Sequence, residues 1–152
     1  MLLALSSPYL TRPVAKEGWA AEGRRLGEQW FTNAVGVLET SLTPIELLGV
    51  MQEVEAQLGR DRQKTVDRTV DLDLLYYDEL VYVDEQLELP HPEIKNRLFV
   101  LAPLEELAPD RSHPMTGSTT SQMRRALPVS GGEDMRRLSW QDKIDTHGER
   151  NT

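Results

Sequence analysis

The charged side chains between Gly59 and Tyr77 have the types and spacing that a metal–phosphate site needs. The stretch Arg68-Thr69-Val70-Asp71-Leu72-Asp73-Leu74-Leu75-Tyr76-Tyr77 is rich in β-branched and aromatic residues and alternates apolar with polar positions. It therefore reads as a β-strand. Val70, Leu72, Leu74 and Tyr76 then share one face, and Thr69, Asp71, Asp73 and Leu75 share the other. Two carboxylates on one face stand roughly 7 Å apart along the strand, and they repel unless a cation lies between them. All-oxygen ligands suit a hard cation, and magnesium is usually held by one or two carboxylates together with substrate phosphates. Two ions roughly 3.5–4 Å apart fit against such a pair. An edge strand with a solvated acidic face gives the same Asp-x-Asp pattern, so the flanking charge matters. From Gly59 to Arg68 the chain places Arg60, Arg62, Lys64 and Arg68 against Asp61 and Asp67, in a sequence of net charge −8. A basic loop leading into paired carboxylates favours metal-bound phosphates, with the acids on the ion and the arginines on the phosphate oxygens. A second cationic group, His91, Lys95 and Arg97, follows in Leu89-Pro90-His91-Pro92-Glu93-Ile94-Lys95-Asn96-Arg97. A histidine between prolines is also a common turn residue.

The elements that must position these residues can be read around them. Met1–Tyr9 reads as one strand and Trp30–Ser41 as another, joined by a long loop over 12–29 without clear periodicity. Thr43-Pro44-Ile45-Glu46 is a capping box that opens a helix to about Leu58, with Gly59 as its stop. Leu47, Val50, Met51, Val54 and Leu58 form its apolar stripe and are expected in the core. After the Asp78-Glu79 break, Leu80–Asp84 is expected to pair with the acidic strand as a hairpin. A helix is expected near Val100–Ala108, with Pro103 in or near its first turn and Pro109-Asp110 at its end. A short helix is expected over 118–127. Residues 128–152 read as a disordered tail in which Trp140 has no assigned place. The domain is expected to occupy 1–127.

Composition narrows the class of partner. A chain of 152 residues is long enough for one domain with a core. Its net charge of −8 argues against broad binding to nucleic acid or anionic membranes. The absence of cysteine excludes disulfides, thiolate metal sites and a cysteine nucleophile. No apolar run approaches the roughly 18 residues of a membrane span, and the apolar start lacks the charged lead of a signal peptide. A cytoplasmic protein is expected.

The residues also resemble a known family. Arg68-Thr69-Val70-Asp71-Leu72-Asp73-Leu74 is similar to the R-T-L-D-L-D-[IL] signature of the 6-hydroxymethyl-7,8-dihydropterin pyrophosphokinases of the folate pathway. Leu89-Pro90-His91-Pro92, Asn96-Arg97 and Phe99-Val100-Leu101 through Pro103-Leu104, Glu106-Leu107-Ala108-Pro109 resemble its second block, and the likeness covers roughly residues 1–110. The resemblance implies an α+β fold: a ferredoxin-like α/β sandwich, mostly antiparallel, with helices packed on the sheet. It implies transfer of pyrophosphate from ATP to the pterin hydroxymethyl group. By the resemblance, Asp71 and Asp73 are the ligands of magnesium, two ions in all. Arg60, Arg62 and Arg68 look like catalytic cations. Gln52, Glu55, Arg60, His91 and Arg97 look like the ATP-binding set. Thr11, Val14, Phe31, Asn33 and Phe99 look like the pterin pocket, with the two rings on its faces and the amide at its edge. The family implies a monomer, with small-molecule partners only.

The sequence differs from the family pattern in places. It starts at what looks like the family's second strand, without the usual first strand, Gly-Ser-Asn-like turn and helix. The expectation is therefore a domain lacking those elements, marginal in stability and prone to self-association. The basic loop is shorter and lacks a Trp, Asp67 stands where Pro is common, and Arg12 follows Thr11. The rival readings are a non-catalytic nucleotide- or pterin-binding remnant of the same family, and an unrelated metal-dependent phosphohydrolase.

Overall fold

The computed structural model describes residues 1–11, 31–59, 70–128, 135–141, 143–144 and 150–151. In chain order its strands are β1 Leu2–Leu5, β2 Tyr9–Thr11, β3 Phe31–Asn33, β4 Gly36–Leu38, β5 Tyr82–Val83, β6 Glu88–Leu89, β7 Met135–Arg137, β8 Lys143–Ile144 and β9 Arg150–Asn151. Its α-helices are α1 Pro44–Gly59, α2 Leu98–Leu107 and α3 Thr120–Ala126. Every strand pair among the described residues is antiparallel, so the class is α+β. The chain divides into two compact units. One holds Met1–Glu39, Lys95–Ser112 and Ser118–Thr152, and the other Thr40–Ile94 with His113–Gly117.

In the first unit, the two long strands expected over Met1–Tyr9 and Trp30–Ser41 are each broken. β1 pairs with β4 from Leu2↔Leu38 to Leu5↔Gly36, and β2 pairs with β3 from Tyr9↔Asn33 to Thr11↔Phe31. The break falls at Ser6-Ser7-Pro8, where proline has no N–H to give to a ladder. Buried Ser6 closes the gap: its N–H donates to the Val35 carbonyl at 2.8 Å, and its Oγ accepts the Val35 N–H at 2.9 Å.

The other edge of β2 carries β7, in register Tyr9↔Arg137 and Thr11↔Met135. Leu138 donates its N–H to the Pro8 carbonyl at 2.9 Å and is buried. The Trp140 indole N–H reaches the Ser6 carbonyl at 3.0 Å. Part of the segment read as a disordered tail is thus the third strand of this sheet. Its Met-Arg-Arg sequence shows no alternation, so only the long-range pairing reveals it.

Helix α2 rests on β2 and β3, and α3 packs on α2. Tyr9, Leu10, Leu101, Ala102, Leu104, Met123 and Leu138 form the core here, each large side chain contributing roughly 1.5–3 kcal/mol. Helix α2 begins at Leu98, which places Pro103 in its interior rather than its first turn. Pro103 therefore has no N–H for the Phe99 carbonyl one turn back. The β1–β4 ribbon remains apolar and exposed at Leu2, Leu3, Leu5 and Leu38.

In the second unit, the capping box opens α1 as its sequence predicts. Thr43 donates its N–H to Glu46 Oε2 at 2.8 Å, and Glu46 donates its N–H to Thr43 Oγ1 at 3.3 Å. The apolar stripe of α1 is a correction. Only Leu47 is buried, while Val50, Val54 and Leu58 are exposed. A stripe is buried only where a second apolar surface meets it, and along α1 that happens at Leu47.

Residues 70–74 keep the expected alternation of burial, with Val70, Leu72 and Leu74 half-buried and Asp71 and Asp73 exposed, but it ends there, since Leu75, Tyr76 and Tyr77 are all half-buried. They form no strand ladder, however, because their backbone groups go elsewhere. The Leu72 N–H donates to the Glu55 carboxylate, and the Leu75 carbonyl accepts the His91 N–H at 2.8 Å. The Tyr77–Leu80 turn forms with Asp78 at φ 48°, a left-handed conformation that Asp tolerates. Yet β5 pairs with β6, Tyr82↔Leu89 and Val83↔Glu88, and not with the acidic segment. Asp84 fixes that choice by accepting the N–H groups of Gln86 and Leu87 at 2.7 and 2.8 Å. Leu87, Leu89 and Ile94 are buried beneath this hairpin. Among the described residues, no helix is long and apolar enough to cross a membrane.

Candidate functional site

The acidic segment is held at a point between the carboxylates and at a point after them. The Glu55 carboxylate, from α1, takes the Leu72 N–H between Asp71 and Asp73. Leu75, two residues on, is tied to His91. These anchors leave the two acids as consecutive outward positions, with half-buried apolar residues between and beyond them. Glu55 is therefore placed as a brace of the carboxylate segment, whereas Gln52 is exposed on α1. His91 is half-buried, and its Nδ1 accepts the Glu93 N–H at 3.1 Å. With Nδ1 an acceptor, the neutral ring carries its proton on Nε2, ready to donate to an anionic oxygen. Among the described residues, no three His, Asp or Glu side chains gather as a complete ligand set. The donors that fit a hard cation here are two carboxylates, the number magnesium takes when phosphates supply the rest.

The residues expected at a flat ring lie in the first unit. Thr11 on β2 faces Phe31 on β3 across the ladder, with Asn33 two residues along the same strand face. Asn33 Nδ2 donates to Thr11 Oγ1 at 3.1 Å, and Thr11 Oγ1 donates to the Phe31 carbonyl at 3.4 Å. The Asn33 amide is oriented by that chain. Having spent one donor on Thr11, an amide still offers a second donor and an acceptor to a ring edge. Phe31 is 48% exposed and Phe99 36%, so neither ring is committed to the core. Phe99 lies in the first turn of α2, with the Arg97 guanidinium 5.6 Å from its ring centroid. Arg97, expected on ATP, is thus held over an aromatic face of this unit. Val14, Arg60, Arg62 and Arg68 lie outside the described residues.

Sequence reasoning missed Glu106, in the last turn of α2. Its Oε1 accepts the Ser7 N–H at 3.0 Å, the Ser7 hydroxyl at 2.8 Å and Arg137 Nη2 at 3.1 Å. Its Oε2 accepts the Tyr9 hydroxyl at 2.9 Å. Burial acts to raise its pKa, but the Ser7 and Tyr9 hydrogen bonds and the Arg137 charge outweigh it, leaving the carboxyl below its ordinary value. Burial, then the bond to the Glu106 carboxylate, pushes the Tyr9 hydroxyl above its own. The available signal was the spacing of Glu106 from Phe99, seven residues on one helix face. Its partners on β2 and β7 come from distant parts of the sequence, so spacing alone did not name them.

The architecture and these residues match a family of small-molecule pyrophosphate-transfer proteins. A family model described as 7,8-dihydro-6-hydroxymethylpterin-pyrophosphokinase matches residues 1–109. The chain belongs to that family, whose ferredoxin-like α/β architecture accords with the antiparallel α+β class seen here. It is 41% identical over 107 residues to a protein of Methylorubrum extorquens named 2-amino-4-hydroxy-6-hydroxymethyldihydropteridine pyrophosphokinase, covering 70% of this chain and 66% of that one. It is 40% identical over 119 residues to the Bacillus subtilis protein of the same name, covering 78% and 66%. A folic acid synthesis protein of Dictyostelium discoideum is 36% identical over 102 residues, covering 66% of this chain and 16% of that protein. The matched region thus spans two thirds or less of these relatives' own length.

Proposed function

We propose that this chain transfers pyrophosphate from ATP to 6-hydroxymethyl-7,8-dihydropterin, giving AMP and the pterin diphosphate, a step in folate biosynthesis. The observation that carries the reading is the exposed pair Asp71 and Asp73, with the backbone braced by Glu55 at Leu72 between them and by His91 at Leu75 beyond them. The names of the relatives support it. On this reading Asp71 and Asp73 would hold magnesium, two ions in all, which would supply charge neutralisation for the ATP phosphates. His91 Nε2, Arg97 and the basic-loop residues Arg60, Arg62 and Arg68 meet phosphate oxygens. Phe31 and Phe99 take the faces of the pterin, and Asn33 its edge, with Thr11 and Val14 beside them. The pterin hydroxymethyl oxygen attacks the β-phosphorus, the bond from that phosphorus to the bridging oxygen of AMP breaks, and the hydroxyl proton leaves. Such transfer rests on positioning and charge neutralisation more than on covalent participation of the protein. A cytoplasmic reaction belongs to the same proposal.

The test is release of AMP from ATP and magnesium by the purified chain, with and without hydroxymethyldihydropterin. Pterin-dependent AMP release is the expected result. ATP breakdown that ignores the pterin would point to a phosphohydrolase. Binding of both ligands without turnover would point to a non-catalytic member of the family.

A further inference from the structure

We infer that Glu106 is a positioning residue for the heterocycle pocket: its four hydrogen bonds tie α2 to Ser7, to Tyr9 on β2 and to Arg137 on β7, and thereby set Phe99 relative to Thr11, Asn33 and Phe31. The inference rests on the proposed function and deepens it. Phe99 lies in the first turn of α2 and Glu106 in its last. Seven residues are two helical turns, so the two side chains lie on one helix face about 10 Å apart along the axis. Glu106 meets β2 at Tyr9 and the segment just before it at Ser7. Tyr9 and Thr11 share a strand face, and Thr11 holds the Asn33 amide. One carboxylate thus joins the helix that carries one ring to the strand that orders the rest of the pocket.

Two observations make Phe99 dependent on that lock. Pro103 gives no N–H to the Phe99 carbonyl, so the first turn of α2 lacks that backbone restraint. Arg97, the residue before the helix, has no side-chain capping bond and instead lies over the Phe99 ring. The orientation of the first turn then depends on the buried Leu101 and on the polar node at the far end of the helix. Glu106 is also better satisfied than a helix-end carboxylate needs to be. Arg137 donates to it from β7, and Arg137 Nε in turn donates to Ser7 Oγ at 3.1 Å, so β2, α2 and β7 share one polar node.

The experiment compares the whole chain with Glu106→Ala, Glu106→Gln and, as a control, Met123→Ala in the core beside α3. Pterin affinity is read by fluorescence, ATP affinity and kcat by turnover, and folding by thermal melting. Glu106→Ala is expected to raise the KM and Kd for pterin at least tenfold while the KM for ATP stays within twofold. Glu106→Gln keeps the shape and one oxygen acceptor, and should recover most of the loss. If Glu106→Ala does not fold, a threefold or greater rise in pterin KM at unchanged ATP KM in Glu106→Gln carries the inference. Met123→Ala should lower the melting temperature without a pterin-selective change. Unchanged pterin affinity in a folded Glu106 variant overturns the inference. So does an equal loss for both substrates, or the same pterin-selective loss in Met123→Ala. If the unaltered chain binds no pterin, the proposed function fails and this inference with it. If the unaltered chain binds pterin and only the variant pattern is wrong, the inference alone fails.

Discussion

Asp71 and Asp73 add little to the fold, because both are exposed and the apolar residues around them hold the segment; the proposed function gives them a metal to bind instead. Removing either relieves like-charge repulsion and empties no core volume. Asp71→Ala and Asp73→Ala are therefore expected to leave the melting temperature within about 2 °C. Magnesium-dependent ATP affinity should fall by tenfold or more, about 1.4 kcal/mol, as measured by titration calorimetry. Glu106 gives a different signature. Its carboxyl lies below the ordinary 4.5, so its stabilising contribution is fully present above that value and is lost as pH falls through the lower folded-state value. Tyr9 lies above the ordinary 10.0, so its part is intact below that value and is lost as pH rises through the higher one. Stability measured by urea unfolding should then be level between roughly pH 5 and 9. It should decline on both sides, with Glu106→Gln flattening the acid limb.

At the scale of elements, the parts legible in the sequence were those set by near neighbours. The Thr43–Glu46 box predicts the start of α1 because both of its hydrogen bonds close within four residues. Thr43→Ala should cost about 0.5–2 kcal/mol, read as a fall in urea midpoint at constant m-value. Alternation at 70–74 likewise predicted which side chains point outward, and it failed from Leu75 on. It did not predict the ladder, because the Leu72 N–H is taken by a carboxylate seventeen residues earlier. The two broken strands follow from Pro8, whose missing N–H is legible, and from Ser6, whose closure of the gap depends on Val35 and is not. The candidate site divides the same way. Asp71, Asp73, Asn33 and His91 were named by motif, whereas Glu55 as a brace and Glu106 as a node exist only through distant partners.

At the scale of the whole molecule, the C-terminal strand ties distant parts of the sequence together, and its removal is a direct test of that role. β7 lies beyond the region that the family model matches, yet it completes the sheet on the free side of β2. A chain ending at Asp134 loses the ladder to Tyr9, Leu10 and Thr11, the buried Leu138, the Trp140 bond to Ser6 and the Arg137 bond to Glu106. Burial of Leu138 contributes roughly 1.5–3 kcal/mol, and the Trp140 hydrogen bond about 0.5–1.5 kcal/mol. Together that is roughly 2–4.5 kcal/mol, from a total of about 5–15 for a domain of ordinary stability. At about 2–4 °C per kcal/mol for this size, the melting temperature should fall by roughly 4–18 °C. Trp140→Phe keeps the ring but removes the indole N–H, and should account for only the hydrogen-bond part, about 1–6 °C. The order expected in thermal denaturation is unaltered chain, then Trp140→Phe, then the shortened chain. If the shortened chain melts with the unaltered one, β7 adds nothing to the sheet it joins. The role assigned to Arg137 at the Glu106 node would then fail with it.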